Sequence, residues 1–197
     1  MGDPLQRICV FCGSSPGAKT AFADTARELG TELAGRGQGL VYGGAKVGLM
    51  GAVANAVLAG GGEAIGVIPT SLRTKEVAHD SLTRLEVVDS LHERKQRMAD
   101  LADGFIALPG GMGTLDELFE VLTWAQLGIH SKPVGLINTD GFFDALLGYL
   151  DHTVSQRFVR PEHRQLLLVD RSPAALLDSM AKFEAAPIAK WMDRSET

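Results

Sequence analysis

The sequence holds only two cysteines in 197 residues, Cys9 and Cys12. Their C-x-x-C spacing invites a zinc or redox reading, but no second cysteine pair exists to complete a zinc site. Both lie in the apolar run RICVFC, where strand alternation places them on opposite faces. They are therefore expected to be two reduced thiols in or near the core. Long apolar runs are missing too, and none approaches the roughly 18 residues that span a membrane. Positive charge is not in excess. The formal net charge of −5 argues against a general nucleic-acid binder with a basic face, while leaving room for a nucleotide ligand. The opening MGDPLQR lacks the charged region, apolar region and cleavage site of a signal peptide. The expectation is a cytoplasmic protein with neither membrane nor nucleic acid as partner.

Two common nucleotide signatures are also lacking. No G-x-G-x-x-G stands in the first strand–helix turn, and no glycine-rich loop ends in Gly-Lys-Ser/Thr. The usual NAD and ATP readings lose their main support.

What is present is an ordinary globular composition, 45% hydrophobic and 22% charged, in a length that suits one domain. Strand-like runs occur at 7–12, 39–43, 63–68, 84–88, 104–108, 133–138 and 165–169. Helix-like runs lie between and after them at about 18–35, 48–60, 91–102, 115–128, 141–157 and 172–184. Continuously apolar strands separated by helices predict an α/β fold. We expect a doubly wound, mostly parallel, Rossmann-like sheet with helices on both faces and right-handed crossovers. No linker or repeat interrupts the pattern, so residues 1–197 read as a single domain whose tail, after about Pro187, is expected to fray.

Ligands of such folds bind outside the carboxyl ends of the strands. Three strand ends here are rich in small residues: CGSSPG (12–17), YGGAKVGLMG (42–51) and LPGGMGT (108–114). The last runs into a helix pattern, with Thr114 placed as its N-cap after Gly110, Gly111 and Gly113. The open amides of a helix's first turn, with the helix dipole, make an anion site. Glu117 then has two readings. Thr-x-x-Glu is a capping box; alternatively, Glu117 is a functional carboxylate. A helical wheel puts Leu115, Leu118, Phe119, Leu122 and Ala125 on one stripe, with Glu117 roughly opposite, near Trp124 and Glu120. An aromatic there predicts that a partner subunit covers the second face.

The run LHERKQRMADLA (91–102) carries an anomaly. Leu91, Met98, Leu101 and Ala102 form the apolar stripe, yet Arg94 and Lys95 fall within about 60° of its centre. Either they snorkel at the stripe's edge or they face a cleft that holds an anion.

PGGMGTLDE (109–117) resembles the PGGxGTxxE signature of the LOG ("lonely guy") family, cytokinin riboside 5′-monophosphate phosphoribohydrolases often labelled lysine decarboxylases. The similarity continues through CVFCGSS, LVYGGAKVGLMGAVA, GVIP, HERKQRM, FIALPGG and LTWAQLGIHSKPVGLIN, in order over roughly residues 7 to 170. The resemblance implies a Rossmann-like homodimer that hydrolyses the N-glycosidic bond of an adenine-type nucleoside 5′-monophosphate. The products are a free base and ribose 5-phosphate, and neither a metal nor an organic cofactor is needed. The family's catalytic pair falls on Arg94 and Glu117. Its substrate contacts fall on Glu76, Arg94, Lys95, Gly111, Met112, Gly113, Thr114, Leu115, Asp116, Glu117 and Thr123. Two positions depart from the common pattern: Asp116 stands where many members have Glu, and Ala45 where many have a third glycine.

A pyridoxal-dependent decarboxylase would need a lysine to carry the cofactor. Lys46 and Lys95 lie near the glycine loops or the site helix, without an evident set of cofactor-binding features. The serious alternative is a non-catalytic nucleotide or molybdenum-cofactor carrier on a related fold, which would not require both Arg94 and Glu117. The residues leave open whether the base is prenylated adenine, plain adenine or another purine.

Overall fold

Seven apolar runs lie side by side as one all-parallel sheet in the computed structural model, which describes residues 5–72 and 78–184. In chain order the elements begin with β1 (Arg7–Phe11), α1 (Thr20–Gly35), β2 (Gly39–Tyr42), α2 (Gly48–Ala59) and β3 (Ala64–Pro69). Next come β4 (Arg84–Val88), α3 (Leu91–Leu101), β5 (Gly104–Ala107), α4 (Met112–Gln126) and β6 (Val134–Ile137). Then follow α5 (Asp144–Ser155), the short α6 (Pro161–Arg164), β7 (Leu167–Asp170) and α7 (Pro173–Ala181). Each expected strand and helix forms. The 3₁₀ turn Thr139–Gly141 and α6 were not anticipated, because three or four residues are too few to show a period. The tail expected to fray lies outside the described residues.

Strand alternation sorts the core into two layers. Ile8 and Val10 of β1 pack with Leu29, Leu33, Val53 and Leu176 on the face covered by α1, α2 and α7. Cys9 and Phe11 point the other way, toward Met98 of α3 and Leu118 and Val121 of α4. Burying a side chain of this size contributes about 1.5–3 kcal/mol, so a one-residue slip of β1 would invert both layers at once. The two cysteines do fall in opposite layers, both buried and unbridged.

The strand order is β4-β3-β2-β1-β5-β6-β7. The chain builds outward from β1 on one side, then returns to place β5 on the other. The order therefore reverses between β1 and β5, and their diverging loops open a crevice there. Its floor is stitched by the Leu108 amide donating to the Phe11 carbonyl at 2.9 Å. The Gly13 amide then donates to the Pro109 carbonyl at 3.0 Å. Far below, the Asp103 carboxylate accepts the Gln6 and Arg7 amides at 2.8 and 2.9 Å, pinning the start of β1.

Candidate active site

The three small-residue strand ends meet at this crevice. Gly13 and Ser14 follow β1, Gly43 follows β2, and Gly111 to Thr114 open α4. With Val10, Cys12, Met50, Arg94 and Glu117 they line a cavity of about 270 Å³. Close backbone approach builds it. Gly48, at φ +59°, has no room for a Cβ against the backbone of Ser14 and Ser15. That contact lets the Leu49 amide at the start of α2 donate to the Gly13 carbonyl at 3.0 Å.

Helix α4 begins earlier than expected. Its N-cap is Gly111, not Thr114, and no side chain caps it. Thr114 is the third helical residue, buried, with its side chain filling the space a Cβ on Gly110 would need. Glu117 is therefore past the first turn, and the capping-box reading is overturned. The first helical bond runs from the Leu115 amide to the Gly111 carbonyl at 3.2 Å, so the amides before it have no acceptor within the helix. Gly111 and Gly113 meet no atom within 4 Å where a Cβ would sit, and neither has a positive φ. Packing and conformation both permit a side chain there. Bare backbone facing a cavity at a helix start is what an anion requires.

The buried line of α4 is Thr114, Leu118, Val121 and Ala125, rotated from the expected stripe. Glu117 thus sits at the edge of the buried line rather than opposite it, and lines the cavity. Leu115 and Phe119 move to the outer shoulder. The cause is sheet geometry: α4 lies against β1 and β5, and Leu118 and Val121 pack into the layer with Phe11 and Phe105.

Helix α3 has a capping box that was not singled out in the sequence. The Glu93 amide donates to Ser90 Oγ at 3.1 Å, and the Glu93 carboxylate accepts the preceding Asp89 amide at 2.8 Å. The buried residues of α3 are Arg94, Met98 and Ala99. Leu91, expected in the stripe, is exposed. Arg94 takes its place at 6% exposure, which excludes snorkelling. Its Nη2 donates to the Gly43 carbonyl at 3.2 Å.

Lys95 does not follow. It does not line the cavity; its ammonium lies 3.1 Å from Asp116 and 3.0 Å from Glu120 on α4. Burial alone would lower its pKa; the hydrogen bonds it donates to the Glu120 and Asp116 carboxylates outweigh that and raise it. Lys46, the other lysine considered, is paired with Asp80 at 2.9 Å.

Of the expected site residues, the cavity gathers Arg94, Gly111, Met112, Gly113, Thr114 and Glu117. Leu115, Asp116 and Thr123 instead line an open groove on the outer face of α4, with Met112, Phe119, Glu120 and Trp124. Met112 borders both. Glu76 lies outside the described residues. Val10, Cys12, Gly13, Ser14, Gly43 and Met50 were not singled out one by one, although the small-residue strand ends signalled most of their neighbourhood. Cys12 is not a nucleophile here. Burial, then the negative charge of Glu117, pushes its thiol pKa upward and keeps it protonated.

Fold and cavity define a doubly wound α/β protein with an uncapped helix start at its switch point and an arginine and a glutamate beside it. The chain belongs to the LOG family of cytokinin riboside 5′-monophosphate phosphoribohydrolases. A family described as "possible lysine decarboxylase" matches residues 50–180. A probable cytokinin riboside 5′-monophosphate phosphoribohydrolase of Oryza sativa subsp. japonica is 51% identical over 179 residues, 91% of this chain and 79% of the relative. The cytokinin riboside 5′-monophosphate phosphoribohydrolase LOG of the same plant is 54% identical over 83% of this chain and 68% of its own. A counterpart in Arabidopsis thaliana is 48% identical over 91% and 84%. Among solved structures, the molybdenum cofactor binding protein of Rippkaea orientalis superimposes with a TM-score of 0.69 at 24% identity. That match covers 92% of this chain and 98% of the other. At that identity the match speaks for the fold alone.

Proposed function

We propose that this protein hydrolyses the N-glycosidic bond of adenine-type nucleoside 5′-monophosphates, AMP or its prenylated forms, releasing the free base and ribose 5-phosphate. Relatives about half identical over most of the chain bear that activity in their names. The observation that carries the reading is a carboxylate, Glu117, in the same cavity as the uncapped start of α4.

The 5′-phosphate sits on the amides of Gly111 to Thr114, where Gly111 and Gly113 have no Cβ to keep it away. That leaves the ribose beside Glu117. As the C1′–N9 bond breaks, its electron pair leaves with the base, and positive charge builds on the ribosyl ring. The Glu117 carboxylate stabilises that charge and takes the proton of the water that attacks C1′. The departing base takes up one proton, which balances the proton that the attacking water gives to Glu117. Arg94, held by the Gly43 carbonyl, presents its guanidinium to substrate oxygens at the cavity wall.

The protein acts as a homodimer through α3 and α4. Trp124, Phe119 and Leu115 line the open groove of α4, Leu91 is exposed at the start of α3, and Leu127 and Ile129 are exposed just after α4. Exposed apolar side chains on these two helices favour burial by association. The activity is tested by chromatographic detection of base released from AMP, isopentenyl-AMP, GMP and CMP, with the unphosphorylated nucleosides alongside. Release from none of them removes the reading. Binding of nucleotide or molybdopterin without turnover would favour a carrier.

A further inference from the structure

The loop after β2 is held by two partners. Arg94 Nη2 donates to the Gly43 carbonyl at 3.2 Å. Residues 78–80 lie along Gly44 to Lys46. The His79 amide donates to the Gly44 carbonyl at 2.9 Å, Ala78 forms an antiparallel bridge with Ala45, and Asp80 pairs with Lys46 at 2.9 Å. Gly44 turns the chain between the two at φ +80°, a conformation that favours glycine. The carbonyl that seats the arginine and the carbonyl that anchors 78–80 are thus adjacent.

The anchor depends on a buried ring. The side chains of the Lys46–Asp80 pair are 44% and 80% exposed, so that pair adds little. His79 is 8% exposed, and both of its ring nitrogens are bonded. Nδ1 accepts the Ser81 amide at 3.2 Å. The ring proton is therefore on Nε2, which donates to Asn55 Oδ1 of α2 at 3.0 Å. These bonds fix the ring against α2, and with it the amide that holds Gly44. We propose that His79 is a positioning residue, which fixes the Gly43–Gly44 turn and through it the guanidinium of Arg94 at the cavity wall. His79 itself does not line the cavity, and its role rests on the phosphoribohydrolase reading above.

A displaced arginine and a weakened fold give different kinetics. Unfolding part of the enzyme lowers apparent kcat and leaves KM unchanged, whereas loss of a substrate contact raises KM. His79→Ala is expected to lower kcat/KM for AMP about tenfold, with KM rising about threefold or more. Asn55→Ala removes one partner of the ring at an exposed helical position that favours alanine. It shifts both constants in the same direction by a smaller factor. His79→Asn, whose Oδ1 can accept the amide two residues on, recovers part of the loss. In Gly43→Ala the guanidinium has already lost its seat. Adding His79→Ala to that variant is expected to cost less than about twofold, because both changes act on one group.

Unchanged KM in folded His79→Ala, or the same loss in the Gly43→Ala background as in the parent, makes the histidine merely structural and overturns the positioning role. Should His79→Ala fail to fold, Asn55→Ala and His79→Asn decide by the same readouts, and an unaltered KM in both overturns it. A parent protein that releases no base from any nucleotide fails differently: it removes the phosphoribohydrolase reading and the positioning role with it.

Discussion

Arg94 donates from Nη2 to the Gly43 carbonyl at 3.2 Å, across 51 residues of sequence. A Cβ on Gly43 would occupy the position of that guanidinium and approach Met50 Sδ at 3.1 Å. The glycine is thus the seat of the arginine. Gly43→Ala is expected to push the guanidinium off the cavity wall and lower kcat/KM for AMP by about 10²-fold. Folding changes little, because the displaced group is the end of a flexible side chain. Steady-state kinetics beside a thermal melt check this; full activity would show that the arginine is not held there for catalysis.

Glu117 lies beyond the first turn of α4, so its carboxylate is not occupied as an N-terminal cap. Glu117→Gln keeps the shape and removes the charge. Base release at saturating nucleotide is expected to fall by about 10² or more with the melting temperature nearly unchanged. Near-normal turnover in the folded variant would end the catalytic assignment.

Gly113 has space around it and an ordinary helical position. Gly113→Ala should therefore stabilise the fold by about 0.4–1 kcal/mol through the unfolded chain. The new methyl faces the place proposed for the phosphate. KM for AMP is expected to rise about tenfold or more, as the anion is kept from the amides. A variant that is both more stable and unaltered in KM would move the phosphate elsewhere.

Adenosine lacks the 5′-phosphate proposed to sit on those amides. Its kcat/KM should be lower than that of AMP by about 10² or more, since binding energy at a remote phosphate positions the reacting bond. Equal efficiencies, measured on one preparation, would detach the loop from the phosphate.

The buried His79 and the half-buried His130 are expected to make the fold sensitive to mild acid. His79 Nδ1 accepts the Ser81 amide and His130 Nδ1 accepts the Lys132 amide, so protonation costs each an acceptor. Burial lowers both pKa values below the ordinary value. The unfolded chain then binds protons before the folded one, and stability is lost as pH falls from about 6.5 toward the folded values. The melting temperature is expected to drop between about pH 7 and 5. His130→Gln should show a shallower drop; an identical slope would assign the acid sensitivity to other groups.

Much of this was legible in the sequence because its causes are local. Apolar runs of strand length alternate with helical periods, and that dictates a parallel sheet with two covered faces. Glycines at three strand ends mark where backbone approaches backbone or ligand. The wheel of α3 correctly singled out two cations on the wrong side for a surface helix. Other readings failed where the cause was distant. Thr114 looks like a cap, but whether it caps or packs depends on where Gly110 lies against it. The apolar stripe of α4 is broad, and only the surface of β1 and β5 decides which edge is buried.

Arg94 and Lys95 show the division most clearly. Sequence by itself determined that two cations stand on the core side of one helix, next to a chain rich in small residues at its strand ends. It could not separate them, since adjacent helical residues differ by about 100° and both directions were open. The tertiary structure decided. Arg94 meets a carbonyl 51 residues away at the end of β2, while Lys95 meets a carboxylate 21 residues away on α4. Those partners come within reach only when the sheet places β2, α3 and α4 around one crevice, and a side chain's charge is satisfied by whatever the fold brings within about 3 Å.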